Sequence, residues 1–233
     1  MSGAPVIEIA QPGSLGQPEP PGGYRRTSAV LVTAPSSIEA EAIRGLRTRI
    51  VAQHVREGRR ALAICSPSSG TGCTFVAANL AVAFAQIGTK TALLDANLRA
   101  PGIAPLFDLP ADIPGLSEYL SHPAMRPDEI GIVEVLPNLS VIASGPPPLN
   151  PQELLSADRF RALVNQLLRE FELTIIDTSA ANVCTDGQRV ATVAGYSLIV
   201  ARKHRSFMAD VALLARTLRA DRSVVVGTVL SEF

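Results

Sequence analysis

The chain has 233 residues, is 47% hydrophobic and 4% aromatic, and balances 21 Lys and Arg against 21 Asp and Glu. That length fits one α/β domain with a tail, and the many Ala, Val, Leu and Ile suit helices packed on a parallel sheet. A formal net charge of zero argues against a broad nucleic-acid footprint, and no apolar run reaches the roughly 20 residues of a membrane span, which argues against direct membrane insertion.

Residues 1–27 hold Pro12-Gly13, Pro20-Pro21 and Gly22-Gly23 and read as a disordered tail ahead of one domain over residues 28–233. No charged-then-apolar signal pattern opens the chain. A short apolar segment, Ala29 to Val32, precedes Ser36-Ser37-Ile38-Glu39, a capping sequence for a helix running to about Arg56. Ala61 to Cys65 predicts a strand and Phe75 to Ile87 a buried helix. Thr91 to Asp95 predicts a second strand ending in a carboxylate, and Gly102 to Arg126 a loop with short helical pieces. Leu139 to Ala143 is a strand, Asp158 to Phe171 an amphipathic helix, and Leu173 to Asp177 a buried strand ending in another carboxylate. Ser197 to Ala201 and Ser223 to Val229 are further strands flanking a helix over Met208 to Leu218. Strands alternating with helices imply right-handed crossovers, a mainly parallel sheet in a three-layer α/β/α arrangement, and function at the carboxyl ends of the strands.

Between the first strand and its helix lies Ser66-Pro67-Ser68-Ser69-Gly70-Thr71-Gly72-Cys73-Thr74. Glycines in such a loop let backbone N–H groups cradle phosphate at a helix N-terminus, while a lysine reaches the terminal phosphates and Ser or Thr holds Mg²⁺. Gly70, Thr71, Gly72, Cys73 and Thr74 are the nucleotide-binding candidates, but Cys73 occupies the lysine position. Thr74, Asp95 and Asp177 are the candidate Mg²⁺ ligands, by their hard oxygens. Cys65, Cys73 and Cys184 show no metal spacing, and an odd, sparse set favours a reducing cytoplasm.

Taken together, these segments resemble the cytoplasmic tyrosine autokinases of capsule and exopolysaccharide export, within the MinD/ParA-like group of P-loop ATPases. The resemblance spans roughly Ile38 to Val229. It rests on the loop with Ala77-Ala78-Asn79-Leu80-Ala81, on Leu93-Leu94-Asp95-Ala96-Asn97-Leu98-Arg99 before Pro101, and on Gly115-Leu116-Ser117-Glu118-Tyr119-Leu120. Ala143-Ser144-Gly145 with Pro147 to Leu155, and Ile175-Ile176-Asp177-Thr178 with Asp186 downstream, complete it. It implies a P-loop fold, MgATP or MgADP as ligand, a membrane polysaccharide co-polymerase as partner, and a cytoplasmic place beside the inner membrane through that partner. Glu41, Arg44 and Arg47 match the family's Glu-x-x-Arg-x-x-Arg assembly pattern. Residues three apart share a helical face, so the three imply homo-oligomerisation.

The departures fall on the chemistry. Cys73 replaces the phosphate lysine, Asn97 the second carboxylate of an Asp-x-Asp motif, Ser179 and Ala180 a proline pair, Gly195 an aspartate, and Ser231 an asparagine near the adenine. The tyrosines are Tyr24, Tyr119 and Tyr196, with no tyrosine-rich tail before Phe233. Asp95 and Asp177 thus read as relics of a catalytic pair, and nucleotide binding as weak. The expectation is a regulatory or scaffolding subunit of an exopolysaccharide export system. The alternative is an active tyrosine kinase whose phosphate clamp is unorthodox, with an arginine supplied by Arg99 or by a neighbouring subunit. A partitioning protein of the ParA type fits less well, because Ser68 stands where that group's second loop lysine falls.

Overall fold

The computed structural model describes residues 27–232 apart from 54, 56 and 57; the tail over residues 1–27, save Thr27, and Tyr24 within it lie outside that set. Strands β1 (Ala61–Cys65), β2 (Thr91–Asp95), β3 (Ile132–Leu136), β4 (Leu139–Ile142), β5 (Leu173–Asp177), β6 (Tyr196–Arg202) and β7 (Val224–Ser231) form one seven-stranded sheet in the order β3-β4-β2-β5-β1-β6-β7. Every pairing is parallel except β3 with β4. The mainly parallel sheet is the one expected from the alternation of strands and helices, and its order accords with the P-loop fold that the resemblance implies.

Alternate side chains of each central strand feed two separate cores, as a two-residue period requires. Ala61, Ala63 and Cys65 face one core with Phe160, Leu163, Leu167, Val190 and Leu214. Leu62 and Ile64 face the other with Leu31, Ile43, Leu80, Phe84 and Phe107. The second layer holds α1 (Val30–Thr33), α2 (Ile38–Gln53), α3 (Cys73–Ala85) and α4 (Ile103–Leu106); the first holds α5 (Leu116–Ser121), α6 (Pro151–Ser156), α7 (Asp158–Glu170), α8 (Asp186–Ala194) and α9 (Met208–Ala220). Helix α3 is buried from Val76 through Ala85. Its small residues let it lie between the sheet and α2, where a larger set would not fit at interior density.

Ser37 provides the expected start of α2, its hydroxyl accepting from the Ala40 N–H at 3.1 Å. The buried helix begins two residues earlier than expected, at Cys73, because Gly72 caps it in a left-handed conformation. Four elements lie outside the sequence reading, the first being helix α1, where only a short apolar segment was expected. Strand β3 pairs antiparallel with β4 across a tight turn in which Asn138 has φ 64°. Helix α8 follows the strand carrying Asp177, and α6 starts on Pro151. The glycine string at 115 and the Ala143-Ser144 string, far apart in sequence, meet through Leu116 N–H to Ala143 C=O at 2.9 Å and Ser117 N–H to Ser144 C=O at 2.8 Å.

Candidate functional site

The loop leaves β1, turns through Gly70 (φ 73°) and Gly72 (φ 87°), and enters α3. Both angles lie in the region that a Cβ disfavours by about 1–2 kcal/mol. The carboxyl ends of the two neighbouring strands bring the acidic residues to the same place. Asp95 ends β2 and Asp177 ends β5, and the two are direct cross-strand partners. Both are fully buried.

Each carboxylate has its own surroundings. Asp95 accepts three backbone N–H bonds, from Asn97 at 3.1 Å, Gly102 at 3.1 Å and Ile103 at 3.0 Å. Burial pushes its carboxyl up to about 6 even so. Asp177 accepts a 2.6 Å bond from the Thr74 hydroxyl on one oxygen. Its other oxygen, Oδ1, has no partner among the described residues. Burial pushes Asp177 up to about 7, the adjacent Asp95 charge pushes the same way, and the Thr74 hydrogen bond pulls it partly back. The buried Thr71 hydroxyl is also without a partner.

An orphaned buried carboxylate oxygen beside a hydroxyl and a second carboxylate is a donor set that suits a small hard cation. Thr74 and Asp177 fit as direct ligands and Asp95 as their neighbour. Thr74, Asp95 and Asp177, singled out in the sequence, thus lie side by side behind the loop.

Cys73 does not reach outward as a lysine would. Its thiol turns back and donates to the Ile64 carbonyl at 3.1 Å. Part of the residue is exposed, but desolvation of the enclosed sulfur, with the Asp177 charge beside it, pushes the thiol well above its usual range. The thiol packs against the end of β1 instead of pointing into the loop. Asn97 does what a loop asparagine does: its side chain donates to Ala100 C=O at 2.8 Å and accepts from Ala100 N–H at 3.2 Å. Gly195, at the position of an expected aspartate, ends α8 with φ 76°.

Arg99 is not available to the loop. Its Nε donates to buried Asp186 at 2.7 Å and a terminal nitrogen lies 3.4 Å from the other oxygen. Asp186 is 1% exposed and Arg99 36%. Replacing Arg99 with alanine leaves a buried carboxylate without its cation. A loss of about 1–2 kcal/mol in urea unfolding is expected, the partial exposure of Arg99 keeping it below a fully buried pair.

The three residues of the assembly pattern separate. Arg44 pairs with Glu41 at 3.3 Å on the exposed face of α2, whereas Arg47 turns toward α3 and donates to the Ala83 carbonyl at 3.2 Å. Two cations that the sequence reading passed over stand at the loop instead. Arg202 donates from Nη1 to the Gly70 carbonyl at 2.9 Å. A Cβ on Gly70 would lie 2.6 Å from Nη1 of Arg205. The available signal was the basic run Arg202-Lys203-His204-Arg205 at the end of a strand. Only the sheet order, with β6 next to β1, brings it to the loop.

The CobQ/CobB/MinD/ParA nucleotide binding domain family matches residues 62–185. The chain is 32% identical over 198 residues to the putative tyrosine-protein kinase CapB of Staphylococcus aureus, covering 85% of this chain and 86% of that one. This chain belongs to the bacterial capsular tyrosine-kinase family. The crystal structure of the chimerical protein CapA2B2 superposes with a TM-score of 0.78 at 32% identity, over 89% of this chain and 91% of the other. MinD from Pyrococcus horikoshii, solved with Mg-ADP, shares the fold at a TM-score of 0.63 and 17% identity, over 73% and 69% of the two chains. Membership of the family fixes lineage and architecture.

Proposed function

We propose that the chain is a regulatory or scaffolding subunit of an exopolysaccharide biosynthesis and export system, a kinase-like protein that acts with a membrane polysaccharide co-polymerase. It holds MgATP or MgADP weakly and transfers phosphate poorly. One observation carries this reading. Cys73, a neutral thiol bonded back to Ile64, stands at the lysine position of a loop whose fold and neighbouring carboxylates are otherwise intact. Phosphoryl transfer depends on positioning and on neutralising charge at the β- and γ-phosphates. A thiol supplies no positive charge, and losing one charge-assisted hydrogen bond to phosphate removes about 1.5–3 kcal/mol of binding. The Mg²⁺ complex, when bound, would supply charge neutralisation. The chain's own part is to hold the metal through Thr74 and Asp177, to fix Asp95 by three backbone donors, and to wrap the phosphates with loop N–H groups.

The partner reading is supported by the likeness to CapB and to the chimerical CapA2B2, whose name pairs a CapA with a CapB part. No described helix is long and apolar enough to cross a membrane, which accords with attachment through a partner. The exposed Glu41–Arg44 pair supports self-association. Replacing Glu41 and Arg44 together with alanine is expected to lower the weight-average mass in sedimentation without changing the melting temperature, and an unchanged mass would remove α2 from the assembly surface.

Calorimetric titration with MgATP and an assay for phosphotyrosine in a kinase-free preparation test the central reading. Weak binding without phosphotyrosine is expected. Strong autophosphorylation that disappears in Asp95→Ala would show a competent kinase instead. That second reading has one specific observation in its favour, the two arginines at Gly70.

A further inference from the structure

We propose that Arg205, braced by Arg202, supplies the positive charge that Cys73 cannot, and so makes the loop a binding site for the phosphates of a nucleotide without a loop lysine. The inference rests on the reading of this loop as a nucleotide site and assigns the residues that carry its charge.

The geometry is built rather than incidental. Arg202 is the last residue of β6, the strand hydrogen-bonded beside β1. After it the chain folds into a closed turn. The Arg202 N–H donates to the Ser206 hydroxyl at 2.9 Å, and the Arg202 carbonyl accepts from Arg205 N–H at 3.1 Å and Ser206 N–H at 2.9 Å. The turn is tied to the end of β7 by Lys203 N–H to Ser231 C=O at 2.8 Å and by Lys203 Nζ to Glu232 at 3.0 Å. His204 takes φ 60° to allow this path.

The turn divides the labour among its cations. Lys203 faces Glu232 and is used in the fold. Arg202 holds the Gly70 carbonyl, which fixes the turn against the loop. Arg205 lies over the bare α-carbon of Gly70, the place a side chain would fill. Among the described residues no carboxylate forms an ion pair with Arg205. A planar guanidinium without a partner carboxylate, lying against the glycine turn that opens α3, has the geometry to match phosphate bidentately. The unpartnered and fully buried Asp177 Oδ1 points independently to a ligand at the same loop, since a cation there would travel with an anionic polyphosphate.

The test is calorimetric titration of the full chain with MgADP and MgATP. Arg205→Ala is expected to weaken both by roughly tenfold, to leave the melting temperature unchanged, and to be rescued in large part by Arg205→Lys. Cys73→Lys in the Arg205→Ala background is expected to restore binding, because a lysine in the loop makes the arginine dispensable. Undiminished binding by Arg205→Ala overturns the inference and leaves the nucleotide reading standing. Binding by Cys73→Lys but not by the unaltered chain also overturns it, since the arginines would then supply nothing. Failure of both to bind overturns the inference and the nucleotide reading together.

Discussion

Cys73→Lys is expected to tighten MgATP binding by about tenfold in the unaltered background and by about 100-fold when Arg205 is alanine. The position opens α3 directly after Gly72, so a lysine there starts at the mouth of the phosphate-binding turn. Its four-carbon stem would extend past the point where the thiol turns back to Ile64. The gain comes from one charge-assisted contact to phosphate in a site whose backbone is already shaped. It is smaller beside Arg205 because a second cation meets an anion already partly neutralised. A shift of less than twofold in both backgrounds would mean that the turn does not present its N–H groups to phosphate. Phosphotyrosine formation by Cys73→Lys but not by the unaltered chain would place the loss of activity on this residue alone.

Asp177→Asn is expected to stabilise the metal-free protein at pH 8 by about 2 kcal/mol, with little change at pH 5. Asp95 and Asp177 both titrate above the ordinary carboxylate value of 3.8, at about 6 and about 7. Between about pH 4 and 7 the folded chain therefore keeps protons that the unfolded chain has released. These groups contribute stability that is present below pH 4, declines as pH rises, and is gone above the Asp177 value. Two buried carboxylates with parallel register at adjacent strand ends are the cause: ionising both requires burying like charges side by side. Asparagine removes one charge and keeps an oxygen for the Thr74 hydroxyl. Urea unfolding in EDTA at the two pH values measures the effect. Added Mg²⁺ should stabilise the unaltered chain at pH 8 and leave Asp177→Asn unaffected. A variant with the same pH dependence as its parent would show that Asp177 ionises freely in the fold.

The elements that local pattern specifies were legible. The five-residue apolar runs ending in Asp95 and Asp177 and the glycines of the loop each carry their signal within a few residues. The amphipathic spacing of α7, which buries Phe160, Leu163, Val164 and Leu167, does the same. Strand β3 was legible in principle, since Ile132, Val133 and Val135 are strong strand formers, yet its short run sits beside a proline-rich segment that reads as loop. Helix α8 was masked by Gly187 and by three β-branched residues, Val190, Thr192 and Val193; the burial of Val190, Ala191 and Ala194 against the core overrides that low helix propensity. The role of Arg47 could not be read from its spacing. Three-residue periodicity places it near Glu41 and Arg44, but the packing of α2 on α3 offers it the Ala83 carbonyl.

The sequence by itself determined the lineage, the glycine turn after β1 and the cysteine that follows it, because these depend on which residues follow one another. It also determined that two carboxylates end strands. Only the tertiary structure decided that those carboxylates are neighbours, that Arg99 is bound to Asp186, and that Arg202 and Arg205 stand at Gly70. Each of these depends on the order β2-β5-β1-β6, which joins segments more than 80 residues apart. Strand order is chosen by the burial of whole faces of the sheet, a global sum that no local spacing of residues records.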